Sequence, residues 1–309
     1  PGYVRIRLSE GVYECDKTIR IVHPNSKLLQ LMGSGLDGNG EPATILSFAS
    51  THGVFLKDGA YLRLDEITLR GPGSDVGDAP VKHGIYVIDG SHLKLGRNVI
   101  IENFKGIGLL AQYDSLVRRL HGDATGAVIA RNNGQNGFQV QDGTTAVLPY
   151  AQSISNGHSG FYAGNGGTLN ASHSLAQGNS HHGFNGWWGA NILANHGQAL
   201  DNLKHGFVGS WGSRIHAGGG TATNNGSYGF FSSQDSMIYA DNSEARNNTV
   251  TGYAAHYGSH LTAVNAQSVS NGRIGFEAQW NSTLMAYSSD NPNTADIEGP
   301  ALAEGNQSF

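Results

Sequence analysis

Charge is scarce in this chain and cysteine almost absent. Lys, Arg, Asp and Glu together make up 14% of the residues, and Cys15 is the lone thiol. A single cysteine excludes an internal disulfide framework and leaves the redox compartment open. The formal net charge is −5, so neither nucleic acid nor an anionic membrane is expected as a partner. No apolar run approaches a transmembrane span, and neither a signal peptide nor membrane insertion is expected. Pro1 opens the chain, as expected of a fragment or a processed form.

What the chain has instead is glycine, 45 residues of 309, and an internal repeat. From Val128 to Ser288 the sequence repeats every 23 residues without a slip. Asn recurs at Asn133, Asn156, Asn179, Asn202, Asn225, Asn248 and Asn271. Gly recurs at Gly137, Gly160, Gly183, Gly206, Gly229, Gly252 and Gly275, each followed by an aromatic: Phe138, Phe161, Phe184, Phe207, Phe230, Tyr253 and Phe276. A fixed period of this size marks one supersecondary unit stacked on itself.

The unit is too short and too glycine-rich for a helix pair. Apolar residues two apart between polar ones, as in Ile192/Ala194, Ile215/Ala217 and Ile238/Ala240, mark short strands with one face inward. Three such strands and three turns fill 23 residues. The expected fold is therefore all-β, a single-stranded parallel β-helix, a solenoid with 23-residue rungs ~4.8 Å apart. Equivalent residues then stack. The aromatics should form an internal column and the Asn side chains a ladder of amides at a turn. The recurrent Gly suits a φ > 0 turn or a close backbone approach.

Residues 1–50 are expected to start and cap the solenoid. Residues 51–127 should form wider, less regular rungs with a loop insert at 71–81, rich in Gly, Asp and Pro. Residues 128–288 form the seven regular rungs, and 289–309 a terminal cover or tail. In the opening region the expected strands are Val4–Leu8, Gly11–Glu14, Lys17–Val22, Leu28–Met32 and Thr44–Phe48.

The regular array is almost neutral. It holds five basic and six acidic residues, but nine of the 14 His and all four Trp. Such a surface suits an uncharged or weakly charged sugar chain, or another copy of itself. Four residues after each core aromatic stand Asp142, Asn165, Trp188, Trp211, Gln234, Tyr257 and Trp280, with Trp187 and His256 alongside. Trp187, Trp188, Trp211, Tyr257, Trp280, His182 and His256 form the candidate carbohydrate-binding set. Aromatic faces can stack on sugar rings while His binds hydroxyls. The alternatives for the same column are a subunit interface, where aromatics are also enriched, and local packing.

Catalysis on sugar chains usually needs two carboxylates. No two acids of the array share a column on adjacent rungs. Asp201, close in sequence to Lys204 and His205, is the best acid–base candidate, with Asp201 and His205 as the catalytic pair. His181/His182 and Lys204/His205 match on neighbouring rungs, but no carboxylate or Cys accompanies them at ligand spacing, so no metal is expected. No cofactor is expected either.

The opening Val4-Arg5-Ile6-Arg7-Leu8-Ser9-Glu10-Gly11-Val12-Tyr13, the run Ile21–Gly33, and the Asn-Gly-x-x-Gly-Phe rungs at 133–138, 156–161 and 271–276 resemble those of bacteriophage tail fibre and tailspike proteins. Those belong to the pectin-lyase-like group of right-handed parallel β-helices. The resemblance implies a homotrimer at the virion tail, outside the cell, among other virion tail proteins, binding a bacterial surface polysaccharide. Some members also cleave their polysaccharide; no catalytic motif of theirs maps onto this sequence. Three functions follow as expectations: a host-recognition module, a depolymerase, lyase or epimerase on the same scaffold, or a rigid spacer.

Overall fold

In a computed structural model of the protein, the described residues are 3–22, 28–73, 81–120, 126–287 and 289. They form thirty-four short strands and no helix. The strands lie in three parallel sheets of 12, 11 and 11 strands, and each sheet takes every third strand of the chain. The chain therefore visits the sheets in rotation, which is the right-handed parallel β-helix expected from the repeat. In the opening region Leu28–Met32 and Thr44–Phe48 form as expected. The other strands are Tyr3–Arg7, Gly11–Cys15 and Ile19–Val22; Asp16 and Lys17 make the bend between the last two. Most of the 71–81 insert and of the 289–309 tail lies outside the described residues.

The chain divides into two compact units, one of Pro1–His158 with Gly167–Leu169, the other of Ser159–Gly166 with Asn170–Phe309. In the second unit the columns read from the sequence are physical stacks. Phe161, Phe184, Phe207, Phe230, Tyr253 and Phe276 are buried with ring centroids 4.7–5.0 Å apart and planes within 10° of parallel. Each ring lies against the next one in the column. Ile192, Ile215, Ile238, Leu261 and Leu284 stack inside the first sheet. Ala176, Ala199, Ala222, Ala245 and Ser268 do so in the second.

The amide ladder is complete within this unit. Asn202 Oδ1 accepts both the backbone N–H and the side-chain N–H of Asn179, at 3.1 and 2.9 Å. Asn225, Asn248 and Asn271 continue the pattern, and Asn202 Nδ2 also donates to Ala176 O at 3.0 Å. All are buried, so the ladder satisfies turn groups that would otherwise lack partners. The recurrent glycines answer to close approach rather than to φ. A Cβ on Gly206 would lie 2.7 Å from Gly229 O and 2.9 Å from Ala222 Cβ.

The first unit has larger aliphatic residues in its core, among them Leu56, Leu62, Leu64, Ile67, Leu69 and Ile101, with Phe48 and Phe104. Besides one amide step, in which Asn156 Oδ1 accepts from Asn133 N and Nδ2 at 3.0 Å each, its rungs are joined by ion pairs. Buried Glu102 accepts from Arg70 at 2.6 Å and from Arg131 at 2.8 Å. Arg131 also grips Glu41 through two bonds of 2.6 and 2.9 Å. Arg63 holds buried Asp65 through two bonds of 2.6 and 2.8 Å. Asp65 and Glu102 are thus both engaged by arginines.

Candidate functional site

The outer face of the third sheet in the second unit gathers the unusual side chains. In each of its strands the core aromatic points in and the next residue out, as the pairing registers Asn185↔Val208↔Phe231↔Ala254↔Glu277 show. A second outward row runs Trp187↔Ser210 and Ser233↔His256. Several of these outward residues are nevertheless buried: Asn185, Val208, Ser210, Ser233, Ala254, His256 and Glu277. They form a floor, and the side chains standing on either side of it are its walls.

One wall is the turn that follows the strand. Asn165, Trp188, Trp211, Gln234, Tyr257 and Trp280 all have φ between 48° and 57°. In this left-handed region Asn, Asp or Gly sits easily, whereas a bulky side chain costs about 1–2 kcal/mol. Trp188, Trp211, Tyr257 and Trp280 hold it all the same, and each is about half exposed. Tyr257 and Trp280 stack face to face at 4.3 Å and 10°. Trp187 packs between Trp188 and Trp211, at 6.2 and 6.3 Å.

The opposite wall precedes the strand. His182 and His205 stack at 4.7 Å, and His205 is followed by Tyr228 at 5.2 Å. Each histidine Nδ1 accepts the backbone N–H of the next rung: His205 N to His182 at 3.2 Å, Tyr228 N to His205 at 3.3 Å. That bond fixes a neutral ring with the proton on Nε2. Burial, with the nearby His181 and Lys204, pushes His205 down to about 3. The first unit repeats the device. His83 N donates to His52 Nδ1 and Ile107 N to His83 Nδ1, and burial lowers His83 to about 4. The histidine column is therefore a turn brace. Among the described residues no group of three His, Cys, Asp or Glu comes together as a metal site.

At one end of the floor stands a pair that the sequence reading did not single out. His256 Nε2 lies 3.1 Å from Glu277 Oε1, both side chains almost wholly buried. Thr251 Oγ1 donates to Glu277 Oε2 at 2.9 Å. Burial raises the Glu277 pKa, but the bonds from His256 and Thr251 outweigh it and hold the carboxyl below its ordinary value. Glu277 is thus a carboxylate, and His256 donates Nε2–H to it. Among the described residues nothing bonds to His256 Nδ1. The ring is boxed by Trp280 at 4.9 Å, Phe231 at 5.1 Å, Tyr228 at 5.9 Å and Tyr257 at 6.2 Å. Burial, with the Glu277 charge adding to it, pushes the Tyr228 phenol up, so it remains a protonated donor.

The structure thus brings Tyr257, Trp280 and His256 into one cluster, and Trp187, Trp188 and Trp211 into a second on the same wall. His182 faces them with its Nδ1 engaged. Asp201 and His205 are not joined. Asp201 sits exposed in a left-handed turn after the second-sheet strand and accepts from Asn224 at 3.1 Å and Gln177 at 3.4 Å. Between them buried Asn202 is pinned in the ladder, which fixes the turn with the two side chains on either side of it. Glu277 escaped the sequence reading because acids were sought in matching columns. In a strand, residues two apart share a face, so 21 residues is as much a neighbour distance in this repeat as 23.

No protein-family model matches the sequence, and no curated protein matches it. Solved structures do match. The A-module of a mannuronan C-5 epimerase of Azotobacter vinelandii is similar at 14% identity, over 98% of this chain and 91% of that one, with a TM-score of 0.75. A periplasmic alginate epimerase matches at 11% identity over 94% and 84%, TM-score 0.64. The catalytic domain of an alpha-1,3-glucanase in complex with nigerose matches at 12% identity over 96% and 63%, TM-score 0.68. At these identities the likeness shows the parallel β-helix fold.

Proposed function

We propose that this chain recognises a bacterial surface polysaccharide and holds it along the outer face of the third sheet in the second unit. The observation that carries this reading is the wall of exposed Trp188, Trp211, Tyr257 and Trp280 in a backbone conformation that disfavours them. Packing alone gives no reason to place four large rings where Asn or Gly would be easier; strain of this kind accumulates where function holds it. Flat rings over a polar floor of Asn185, Ser210, Ser233 and His256 suit the apolar faces and hydroxyl edges of sugars. The polysaccharide-acting proteins among the structural neighbours agree with this ligand class. In its finer form the reading is a tailspike-type receptor-binding module, homotrimeric and displayed at a virion tail outside the cell; its support is the resemblance of the opening and Asn-Gly-x-x-Gly-Phe rungs. The test is size-exclusion chromatography of bacterial surface polysaccharides incubated with the protein. Co-elution with full-length polysaccharide is expected, and its loss in Trp188→Asn/Trp211→Asn or Trp280→Asn locates the site. No co-elution with any surface glycan would overturn the reading.

The buried His256–Glu277 pair favours a second reading, processing of the bound glycan. An imidazole whose Nε2–H is held by a carboxylate offers Nδ1 as a base in its neutral form, and the carboxylate stabilises the imidazolium formed. Glu277→Gln keeps the shape and weakens that role. Shortened or chemically altered polysaccharide with the native chain, and unaltered but still bound polysaccharide with Glu277→Gln, is the expected pair of results for an enzyme. Unaltered product with both leaves recognition alone.

A further inference from the structure

Fourteen of the nineteen Lys and Arg lie within residues 1–127, and the β-helix lines several of them up. On the outer face of the first sheet in the first unit, strand register places Arg5, Gln30, Arg63, Lys94 and Arg118 in one column on five successive rungs. Rungs are ~4.8 Å apart, so the column is a file of four cations with buried Gln30 between the first two. Like charges stacked on neighbouring strands destabilise a sheet, and a folded chain with little charge has no structural need for them here. One acid stands beside the file. Buried Asp65 takes two bonds from Arg63 and one from Gln30 Nε2 at 2.9 Å, while Gln30 Oε1 accepts from Arg5 Nε at 2.9 Å. This fixes Gln30 and Arg63 in place. Among the described residues no carboxylate pairs with Lys94 or Arg118. Lys94 Nζ lies 5.0 Å from the centre of the Tyr61 ring, and a cavity of about 250 Å³ opens there, lined by Leu28, Leu29 and Leu120 together with Tyr61 and the column from Arg5 to Lys94.

The second unit does the opposite at the same place in its repeat. There the column reads Leu193, His216, Tyr239, Thr262 and Met285, without a fixed charge. The cationic file is thus a property of the first unit and not of the rung.

We propose that this file binds an acidic polysaccharide, a linear chain whose carboxylate or sulfate groups recur along it, running across the rungs with a sugar ring against Tyr61. A narrow file spaced by rungs matches a single strand with regularly repeated anions. It is too narrow and too weakly charged to neutralise the phosphates of a duplex. The site is separate from the third-sheet face, in a different unit and on a different sheet, and it stands or falls independently of that reading.

Affinity electrophoresis through gels containing polygalacturonate, dextran sulfate or neutral dextran tests it, at low salt and at 0.5 M salt. The native chain should be retarded by at least one of the two polyanions and not by dextran, and the retardation should fade with salt as exposed charge pairs are screened. Which polyanion retards it tells carboxylate from sulfate. Lys94→Glu/Arg118→Glu should weaken the retardation at least tenfold. Lys94→Gln/Arg118→Gln, which adds no new charge to the stack, should weaken it less, with an unchanged thermal melt. Trp188→Asn/Trp211→Asn should bind the polyanion like the native chain. Three results would overturn the proposal: no retardation by either polyanion at low salt, undiminished retardation of the Glu variant, or a shift in sedimentation of the Glu variant that marks the file as an interface between copies. Tighter binding of a single-stranded oligonucleotide than of either polyanion would also overturn it.

Discussion

The two units solve one problem with different chemistry. Each must connect polar groups from rung to rung inside a narrow solenoid. The second unit does so with identical residues: Asn on Asn from Asn179 to Asn271 and ring on ring from Phe161 to Phe276. The first unit has one such step, Asn133 on Asn156, and otherwise adds unlike residues, with Glu102 between Arg70 and Arg131, and Arg131 reaching on to Glu41. An amide is donor and acceptor at once, so copies of itself satisfy it; a carboxylate or a guanidinium is not. A strict repeat can therefore be held by amides, whereas an ionic connection requires that successive rungs differ. The regularity of one unit and the irregularity of the other follow from what each uses as its link.

The sharpest break of this comparison is in the ring stack. Phe207→Ala leaves a void between Phe184 and Phe230 and should destabilise the second unit by about 3–5 kcal/mol, read as a lower denaturant midpoint. Next comes the ladder. Asn202→Ala removes the partner of two Asn179 donors and should cost about 2–4 kcal/mol, since those groups are left buried and unpaired. In the first unit Glu102→Gln should cost less, about 1–3 kcal/mol, because Arg131 keeps Glu41 and both arginines reach water.

Acid separates the units less. His205 and His83 have folded pKa values pushed below the unfolded value of about 6.5, to about 3 and about 4. The unfolded chain then binds more protons in that window, so the stability due to neutral histidine is fully present above about pH 6.5 and is lost as pH falls toward the folded values. His205→Gln should flatten the pH dependence of the melting temperature between pH 6 and 4 in the second unit, and His83→Gln should do so in the first. The smallest effect is expected from Trp188→Asn/Trp211→Asn, which relieves left-handed strain and should leave the stability read from denaturant unfolding unchanged or raise it by about 1 kcal/mol. A large loss of stability there would return the tryptophans to a packing role.

The sequence made the scaffold legible because stacking turns a column of letters into a column of contacts: the Asn, Phe and Ile/Leu columns each became a continuous stack. The site was legible in part. Trp188, Trp211, Tyr257 and Trp280 stood out as aromatics in a polar column, but nothing in the letters showed that the turn beneath them is left-handed. His256 was visible and its partner Glu277 was not, since their link is diagonal, 21 residues along the chain. The links of Arg131 to Glu102 and Glu41 in the first unit span 29 and 90 residues without a period, so no repeat could announce them. The cations of the first sheet were hidden by a balanced total, because charge counted over a chain says nothing of which face carries it.

The amide ladder also makes the second unit a ruler. Each Asn offers the rung behind it the same acceptor that it takes from the rung ahead. A tandem duplication or deletion of one 23-residue segment therefore leaves the same joint to be remade, and the aromatic wall changes length by one step of ~4.8 Å. A single residue inserted within a strand would instead turn the rest of that strand's inward side chains outward. The length of that wall is thus open to adjustment by whole steps, with no redesign of the joint.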